Sequence, residues 1–346
     1  MSNTLKELAY LHGKPSASAK LKVQPEHFIV REKLGFEFAG EGEHLMLLVR
    51  KRGENTKFVA NELAKVCGIS SKNVGWSGLK DRHAVTEQWL SFHMPKHEEV
   101  DFSTFLKQYP HIQILKTTRH NKKLRPGDHQ SNEFVVTLTE VDDVDSVTSR
   151  LELVSKLGVP NYFGEQRFGR NGNNLEEARR WGRENVRTRN QNKRSMYLSA
   201  ARSWIFNQIV SKRIMNGGLD IAIDGDLVKV NNEQVLVNED NIELLSDYKI
   251  TAALAGDNDL PTHNAAKALE QSVLDSEPDL MALIRGNRMR HDRREVILHP
   301  KHLKWDLSAS EVTLAFELSS GSFATSVIRE LINEVAFERV FDQTND

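Results

Sequence analysis

The sequence predicts an α+β protein in which one discontinuous domain, built from both ends of the chain, is interrupted by a charged insert. Three observations carry this. Residues 133–140 (EFVVTLTE) alternate as a half-buried strand does, and similar short runs are interleaved with helical periodicities up to residue 157. The same texture returns from 304 onward. Between the two, Gly158-Val159-Pro160 breaks the pattern, because proline disfavours helix at the residue before it, and the composition turns strongly charged. The expected domains are therefore 1–157 together with 304–346, and an insert at 158–303.

Residues 27–32 and 44–50 are short, partly alternating apolar runs and predict strands. Residues 56–66 have helical spacing, and Gly68 just beyond can take the left-handed conformation that ends a helix. Val144, Val147, Leu151, Val154 and Leu157 follow at steps of three and four, which predicts an amphipathic helix. In the insert, Asn174 and Glu177 have capping-box spacing ahead of a basic helix through Arg183. Residues 198–214 predict a second strong helix, with Ala201, Trp204, Ile205, Gln208 and Ile209 along one side. The acidic stretch 217–262 reads as short strands and turns. Val312, Leu314, Phe316 and Leu318 alternate as a strand, and Val327, Ile328, Leu331, Ile332 and Val335 form a helical stripe.

A length of 346 residues is ample for a buried core, and 39% hydrophobic with 27% charged residues is the composition of an ordinary globular chain. No apolar run approaches the roughly 18–20 residues that cross a bilayer, and the N-terminus lacks the apolar segment of a secretory signal. Cys67 is the only cysteine, so no intrachain disulfide forms, which fits a reducing cytoplasm. It sits in the pattern Phe58-Val59-x3-Leu63-x2-Val66 and reads as a buried small hydrophobe.

The formal net charge is −1, but it is unevenly spread. Residues 165–213 hold 12 Lys/Arg against 4 Asp/Glu, and 285–304 hold 7 against 2, whereas 220–259 hold 2 against 10. A chain that is neutral overall can still carry a basic face able to follow a phosphate backbone, although solvated helix faces give the same count. Arg179, Arg180, Arg183, Arg187, Arg189, Lys193 and Arg194 are the candidates for such a surface.

Several apparent motifs are excluded. Gly75-Trp76-Ser77-Gly78-Leu79-Lys80-Asp81 has two residues between its glycines and an aspartate after the lysine, where a phosphate loop needs four residues and Ser or Thr. Gly40-Glu41-Gly42 lacks the third glycine of a dinucleotide fingerprint, and Glu41 and Glu43 would repel a pyrophosphate. His299 and His302 lack further ligands at metal-binding spacing. No G-x-S-x-G elbow is present.

What remains is the run from Asn73 to Gln88, NVGWSGLKDRHAVTEQ. Two glycines precede a carboxylate, Asp81, flanked by Lys80 and Arg82. Glycines permit close approach of backbone or ligand, and neighbouring cations favour an ionised, nucleophilic carboxylate. A surface turn with a salt bridge accounts for the same residues. His83 beside Arg82 reads as a tolerated substituent or as a general acid or base.

This segment resembles the active-site motif of the TruD family of pseudouridine synthases, in the pattern G-x-K-D-x-x-A-x-T-x-Q. Phe28-Ile29-Val30-x-Glu32, Gly40-Glu41-Gly42-Glu43-His44 and Asn55-Thr56 resemble that family's N-terminal signature, in order. Residues 161–169 (NYFGEQRFG) resemble the opening of its inserted domain, and 321–330 (GSFATSVIRE) its C-terminal signature. The resemblance spans nearly the whole chain and is weakest across about 217–300. It implies a discontinuous pseudouridine-synthase-like catalytic domain, with a mixed β-sheet and flanking helices, plus an inserted α/β domain specific to the family.

It further implies that Asp81 is the catalytic aspartate and that Phe28, Asn132 and Phe323 contact the target nucleotide. Phe134 falls where related synthase families have a stacking tyrosine, and Lys22 is the candidate ion-pair partner of Asp81. An amide can read a uracil edge with one donor and one acceptor, and a phenyl face stacks on a pyrimidine. Without the resemblance, Phe28 and Phe323 read as core residues and Asn132 as a strand-entry turn. The implied reaction turns uridine into its C-glycoside isomer in tRNA, at uridine 13 of the D arm. It needs no cofactor and no metal; the expected protein is cytoplasmic, with no membrane partner, and a monomer is the expected state, which no residue pattern fixes. A non-catalytic RNA-binding protein and a glycosidic-bond hydrolase are the alternatives. The hydrolase would need a second carboxylate to activate water.

Overall fold

Strand alternation builds the larger sheet. In the computed structural model, which describes residues 5–96, 98–238 and 240–337, seven strands stand in the order Lys301–Leu307, Val312–Ser319, His129–Thr139, Phe28–Leu34, Val85–His93, His44–Arg52 and Ile112–His120. Phe28–Leu34 runs parallel to Val85–His93, and the other neighbours in this row are antiparallel, so the sheet is mixed. Ser18–Leu21, Val74–Trp76 and Asn333–Glu334 attach at its margins.

Register decides what each face carries. Lys51, Thr86, Val30, Phe134 and Phe316 are successive partners across five strands on one face. One residue along, Arg50, Glu87, Arg31, Glu133 and Glu317 are partners on the other. That second row is a ladder of ion pairs: Arg50–Glu87 at 2.6 Å, Arg31–Glu133 at 3.4 Å and Lys33–Glu317 at 2.6 Å. A one-residue slip would exchange the two faces, so the register is strongly specified. The helix Thr56–Val66 packs Val59, Ala60, Leu63 and Ala64 onto Leu45, Leu47, Val49 and Leu90 of the first face. Its start is capped by Asn55, whose side chain accepts from the Lys57 amide, and Gly68 beyond its end is left-handed at φ +65°. Cys67 is buried beside this helix, and burial pushes its thiol up to about 11, as for an inert core cysteine.

This sheet belongs to one compact unit, formed by Ser16–Thr148, Pro300–Gly321 and the chain from Ile332. The second unit is formed by Ser149–His299, Ser322–Leu331 and the segment through Pro15. Its long helix, Gln191–Met215, is buried along Ala201, Ile205, Ile209 and Val210. Around it lie the helices Asn173–Arg183, Asn264–Ser276 and Pro278–Gly286 and an antiparallel sheet of Glu233–Leu236, Leu227–Val230, Lys249–Leu254 and Asp292–Glu295. Leu5 and Leu8 join this core, and Arg329 donates to the carbonyl oxygens of Leu5, Leu8 and Ala9.

Several sequence expectations are corrected here. The expected capping box does not form: Gly172, left-handed at φ +78°, precedes the helix, no side-chain cap is made, and Glu177 pairs with Arg180 instead. The helix expected over 198–214 starts at Gln191, because Asn190 accepts from the Lys193 amide at 3.1 Å and so caps an earlier turn. The helical stripe expected to reach Val335 ends at Leu331. Asn333 and Glu334 leave to pair with Ser18 and Ala19, and Val335 donates its amide to Ala19. The helices Asn264–Ser276 and Pro278–Gly286 have no counterpart in the sequence reading.

Candidate active site

The loop between the strands Val74–Trp76 and Val85–His93 carries Asp81, and nearly every residue of its pattern has a local physical task. Gly75 has no room for a side chain, since a Cβ there would lie 2.3 Å from the Leu124 carbonyl oxygen. Ser77 donates to Glu32, and Gly127 donates its amide to the Ser77 carbonyl at 2.8 Å. Gln88 donates to the Gly78 carbonyl at 3.1 Å and accepts from Thr56 at 2.9 Å. The Thr56 hydroxyl in turn accepts from the Lys80 amide at 3.2 Å. Ala84 is fully buried and its carbonyl accepts from the Gly53 amide. The loop is thus fastened to the sheet and to the first turn of the helix Thr56–Val66.

Two lysines flank the aspartate from other strands. Lys22, just past the strand Ser18–Leu21, places Nζ 2.7 Å from Asp81 Oδ2 and 3.9 Å from the centroid of the Phe28 ring. Its backbone is left-handed at φ +60°, a conformation that costs a non-glycine residue about 1 kcal/mol or more. That geometry turns the ammonium onto both the carboxylate and the ring. The carboxylate side chain is 23% exposed, open enough to meet a ligand. Lys51, in phase with Leu47 and Val49 on the buried face, is 1% exposed and donates to the Asp81 backbone carbonyl at 2.9 Å. Lys80 points the other way, into a pocket where Nζ lies 2.9 Å from Glu32 Oε1. The side chains are 6% and 0% exposed. Glu32 also accepts the Trp89 amide at 3.0 Å.

Burial pushes the Lys51 ammonium down to about 8, while Asp81 and Glu54 pull it up and Lys80 pushes it down. A lysine whose folded value lies below its unfolded value of roughly 10.4 carries its full folding penalty below pH 8. The penalty is relieved as pH rises toward the unfolded value, because the unfolded chain then binds more protons. The stability of the native protein relative to Lys51→Met should therefore rise by about 3 kcal/mol between roughly pH 8 and pH 10.5. Urea unfolding of both proteins across that range checks this, and a flat difference would contradict it.

Phe28 and Phe134 meet edge to face with centroids 6.0 Å apart, and Phe134 stacks on Phe316 at 5.5 Å. Asn132 pairs in register with Glu32 on one side and Leu318 on the other, two residues along the strand from Phe134 and hence on its face. Its side-chain Oδ1 is buried with no hydrogen-bond donor among the described residues. Asp81, Lys22, Phe28, Phe134 and Asn132 therefore lie in one unit around one face of the sheet. Phe323 belongs to the other unit, just before the helix Ala324–Leu331, with its ring 5.9 Å from that of Phe163. Gly164 permits this packing, since a Cβ there would meet the Phe323 ring at 3.1 Å and Thr325 Oγ1 at 2.7 Å.

Lys51 and the Glu32–Lys80 pair are absent from the sequence-derived site. Lys51 had a legible signal, the alternation that puts it on the face of Leu47 and Val49. The basic stretch also looks different once folded. Arg179 pairs with Glu277 and Glu176, Arg180 with Glu177 and Glu184, and Arg183 with Asp279. Arg213 is buried against Asp226 at 2.6 Å. Arg187, Arg189, Lys193 and Arg194 have no ion pair among the described residues. Also among the described residues, no group of three His, Cys, Asp or Glu converges to hold a metal, and no helix is long and apolar enough to cross a membrane.

Comparison with known proteins agrees along the whole chain. The family model described as tRNA pseudouridine synthase D (TruD) matches residues 5–179 and 173–331. A protein of Vibrio parahaemolyticus named tRNA pseudouridine synthase D is 67% identical, over 99% of this chain and 100% of its own length. One from Vibrio cholerae with the same name is 62% identical, over 100% of this chain and 97% of its own. Among solved structures, a Methanosarcina mazei chain described as a tRNA pseudouridine synthase D superposes with a TM-score of 0.67 at 22% identity, covering 94% of each chain, and shares the fold.

Proposed function

Since the chain belongs to the tRNA pseudouridine synthase D family, and is thereby an RNA pseudouridine synthase that isomerises uridine in tRNA, we propose that Asp81 is the group that breaks the glycosidic bond. The observation that carries this is the Asp81 carboxylate, hydrogen-bonded by Lys22 at 2.7 Å beside the Phe28 ring. Its loop is anchored at Ser77, Gly78, Lys80 and the Asp81 carbonyl, so the carboxylate is held in place before substrate arrives.

Two routes fit this carboxylate. In one, it attacks C1′, an ester bond forms as the N1–C1′ bond breaks, and the uracil turns within the site. C5 then displaces the carboxylate at C1′, the C5 proton leaves, and N1 takes up a proton. In the other, the carboxylate removes the C2′ proton as the N1–C1′ bond breaks, giving a glycal; once the uracil has turned, C5 bonds to C1′ as the proton returns to C2′, the C5 proton leaves, and N1 takes up a proton. Both conserve atoms and electrons, so neither requires an oxidant, a reductant or a co-substrate. Both require the uracil to leave its stack, at about a few kcal/mol. Phe28 and Phe134 are assigned to stacking against the extruded base, and Asn132 to its polar edge. The buried, unsatisfied Asn132 Oδ1 supports that assignment, because a uracil N3–H supplies the missing donor.

The target is assigned to uridine 13 in the D arm. A monomer is the assigned oligomeric state. Its tRNA substrate puts it in the cytoplasm. The unit holding the ten-stranded sheet is assigned the chemistry, and the other unit the role of the family's inserted domain. Nucleoside analysis after incubation with unmodified tRNA separates this reading from a hydrolase. A mass-neutral isomer of uridine is expected, whereas free uracil would sink the proposal.

A further inference from the structure

The motif over 161–169 is tied down almost residue by residue. The Asn161 side chain donates to the Glu295 carbonyl at 2.8 Å, and the Tyr162 hydroxyl to the Ala9 carbonyl at 2.9 Å. Buried Asn207 accepts the Phe163 amide at 2.9 Å and donates to the Phe163 carbonyl at 3.0 Å. Phe168 is fully buried. Arg167 stands apart. Its guanidinium lies 5.4 Å from the Phe163 ring centroid and 5.8 Å from that of Phe323, with one bond from Nη1 to the Ser199 hydroxyl at 2.9 Å.

A second guanidinium approaches the same ring. Arg294 lies 4.1 Å from the Phe163 centroid, and its Nη2 donates to Asn161 Oδ1 at 2.6 Å. Burial pushes Arg294 down to about 10, with the charge of Arg167 adding to the effect, and burial lowers Arg167 as well. Elsewhere in this unit, withdrawn arginines meet carboxylates, as Arg213 does with Asp226 at 2.6 Å, Arg293 with Glu270 at 2.8 Å and Arg179 with Glu277 at 2.9 Å, or several carbonyl oxygens, as Arg202 does at Leu254, Ala255 and Arg290. Arg167 has no ion pair among the described residues, yet it is desolvated and sits near another cation. Such a charge is unfavourable until an anion joins it.

We propose that Arg167, supported by Arg294, forms a phosphodiester-binding site beside Phe323 that takes a backbone phosphate of the RNA. The inference rests on the RNA-modifying function above and goes beyond it by naming where a phosphate binds. A guanidinium fork matches two phosphate oxygens, and the neighbouring Phe323 ring is an apolar face for the adjoining base. Ser199 and the Phe163 ring hold the fork ready, so little side-chain freedom is lost on binding.

The test measures tRNA affinity against salt concentration, in an Asp81→Asn background so that no turnover occurs. Arg167→Gln should weaken binding about tenfold near 0.1 M salt and reduce the slope of log K against log salt by about 0.7, the value for one phosphate on a single strand. Arg167→Lys keeps the charge but loses the fork. It should retain the slope and bind several-fold more weakly. An unchanged slope and affinity in folded Arg167→Gln would overturn the site, including when melting shows lowered stability. Should Arg167→Gln not fold, Arg167→Lys decides: undiminished affinity means a structural arginine. Failure of the functional reading looks different, as absence of salt-sensitive tRNA binding by the parent protein itself.

Discussion

Asp81→Asn is expected to lose turnover by on the order of 10⁴-fold or more, while tRNA affinity stays the same or tightens slightly. The substitution keeps the side chain's shape but removes the charge that either route requires, attack at C1′ or removal of the C2′ proton. The loop has anchors other than that carboxylate. It is held through the Asp81 carbonyl by Lys51, through Lys80 by Glu32 and Thr56, and through Gly78 by Gln88. Lys22 loses an ion-pair partner but keeps the face of the Phe28 ring. Removing one negative charge from a site that receives a polyanion also lessens repulsion, so a weaker complex is not expected. Single-turnover assays with filter binding on the same preparation separate the two quantities. Parallel loss of binding and turnover would instead indicate that Asp81 shapes the loop.

The second large effect is on stability. Lys80→Met should destabilise the protein by about 3–5 kcal/mol, the range for breaking one side of a buried ion pair. The Glu32 side chain is fully buried, and without Lys80 its hydrogen-bond donors among the described residues are the Ser77 hydroxyl and the Trp89 amide. The pair also bolts the loop that carries Asp81 to the strand that carries Phe28, so, on the proposed role of Asp81, the variant's remaining turnover should fall through kcat. Glu32→Gln combined with Lys80→Met should recover part of the loss, because no uncompensated charge then remains, and the coupling is read from the double-mutant cycle. Equal denaturant midpoints for native and Lys80→Met proteins would show that the pair does not stabilise the fold.

The residues of the candidate site were more legible in the sequence than their support. Asp81 stands in a long, specific pattern, and Phe134 and Asn132 share a face by simple strand alternation. Lys51 follows the same alternation, but the expected strand stopped at Arg50, one residue short of it, and a lysine in phase with a core is discounted on composition. Glu32 was visible as part of a signature but not as a buried anion, since its partner is Lys80, on a loop beyond the elements His44–Arg52, Thr56–Val66 and Val74–Trp76. The helix Asn264–Ser276 was invisible for a related reason. Its buried face includes Glu270, which pairs with Arg293 at 2.8 Å, so a tertiary ion pair interrupts the apolar stripe. The charge count over the basic stretch left out its tertiary partners. The acids that neutralise Arg179 and Arg183 come from Glu277 and Asp279, 98 and 96 residues away, which no local charge count includes.

The most direct test of the account is to map pseudouridine, through its stable carbodiimide adduct, in unmodified tRNA transcripts incubated with the purified protein and no added cofactor. The account predicts one modified position, uridine 13 in the D arm, formed by the native protein and not by Asp81→Asn. Modification that persists without the Asp81 carboxylate, or that appears only elsewhere in the tRNA, would contradict it.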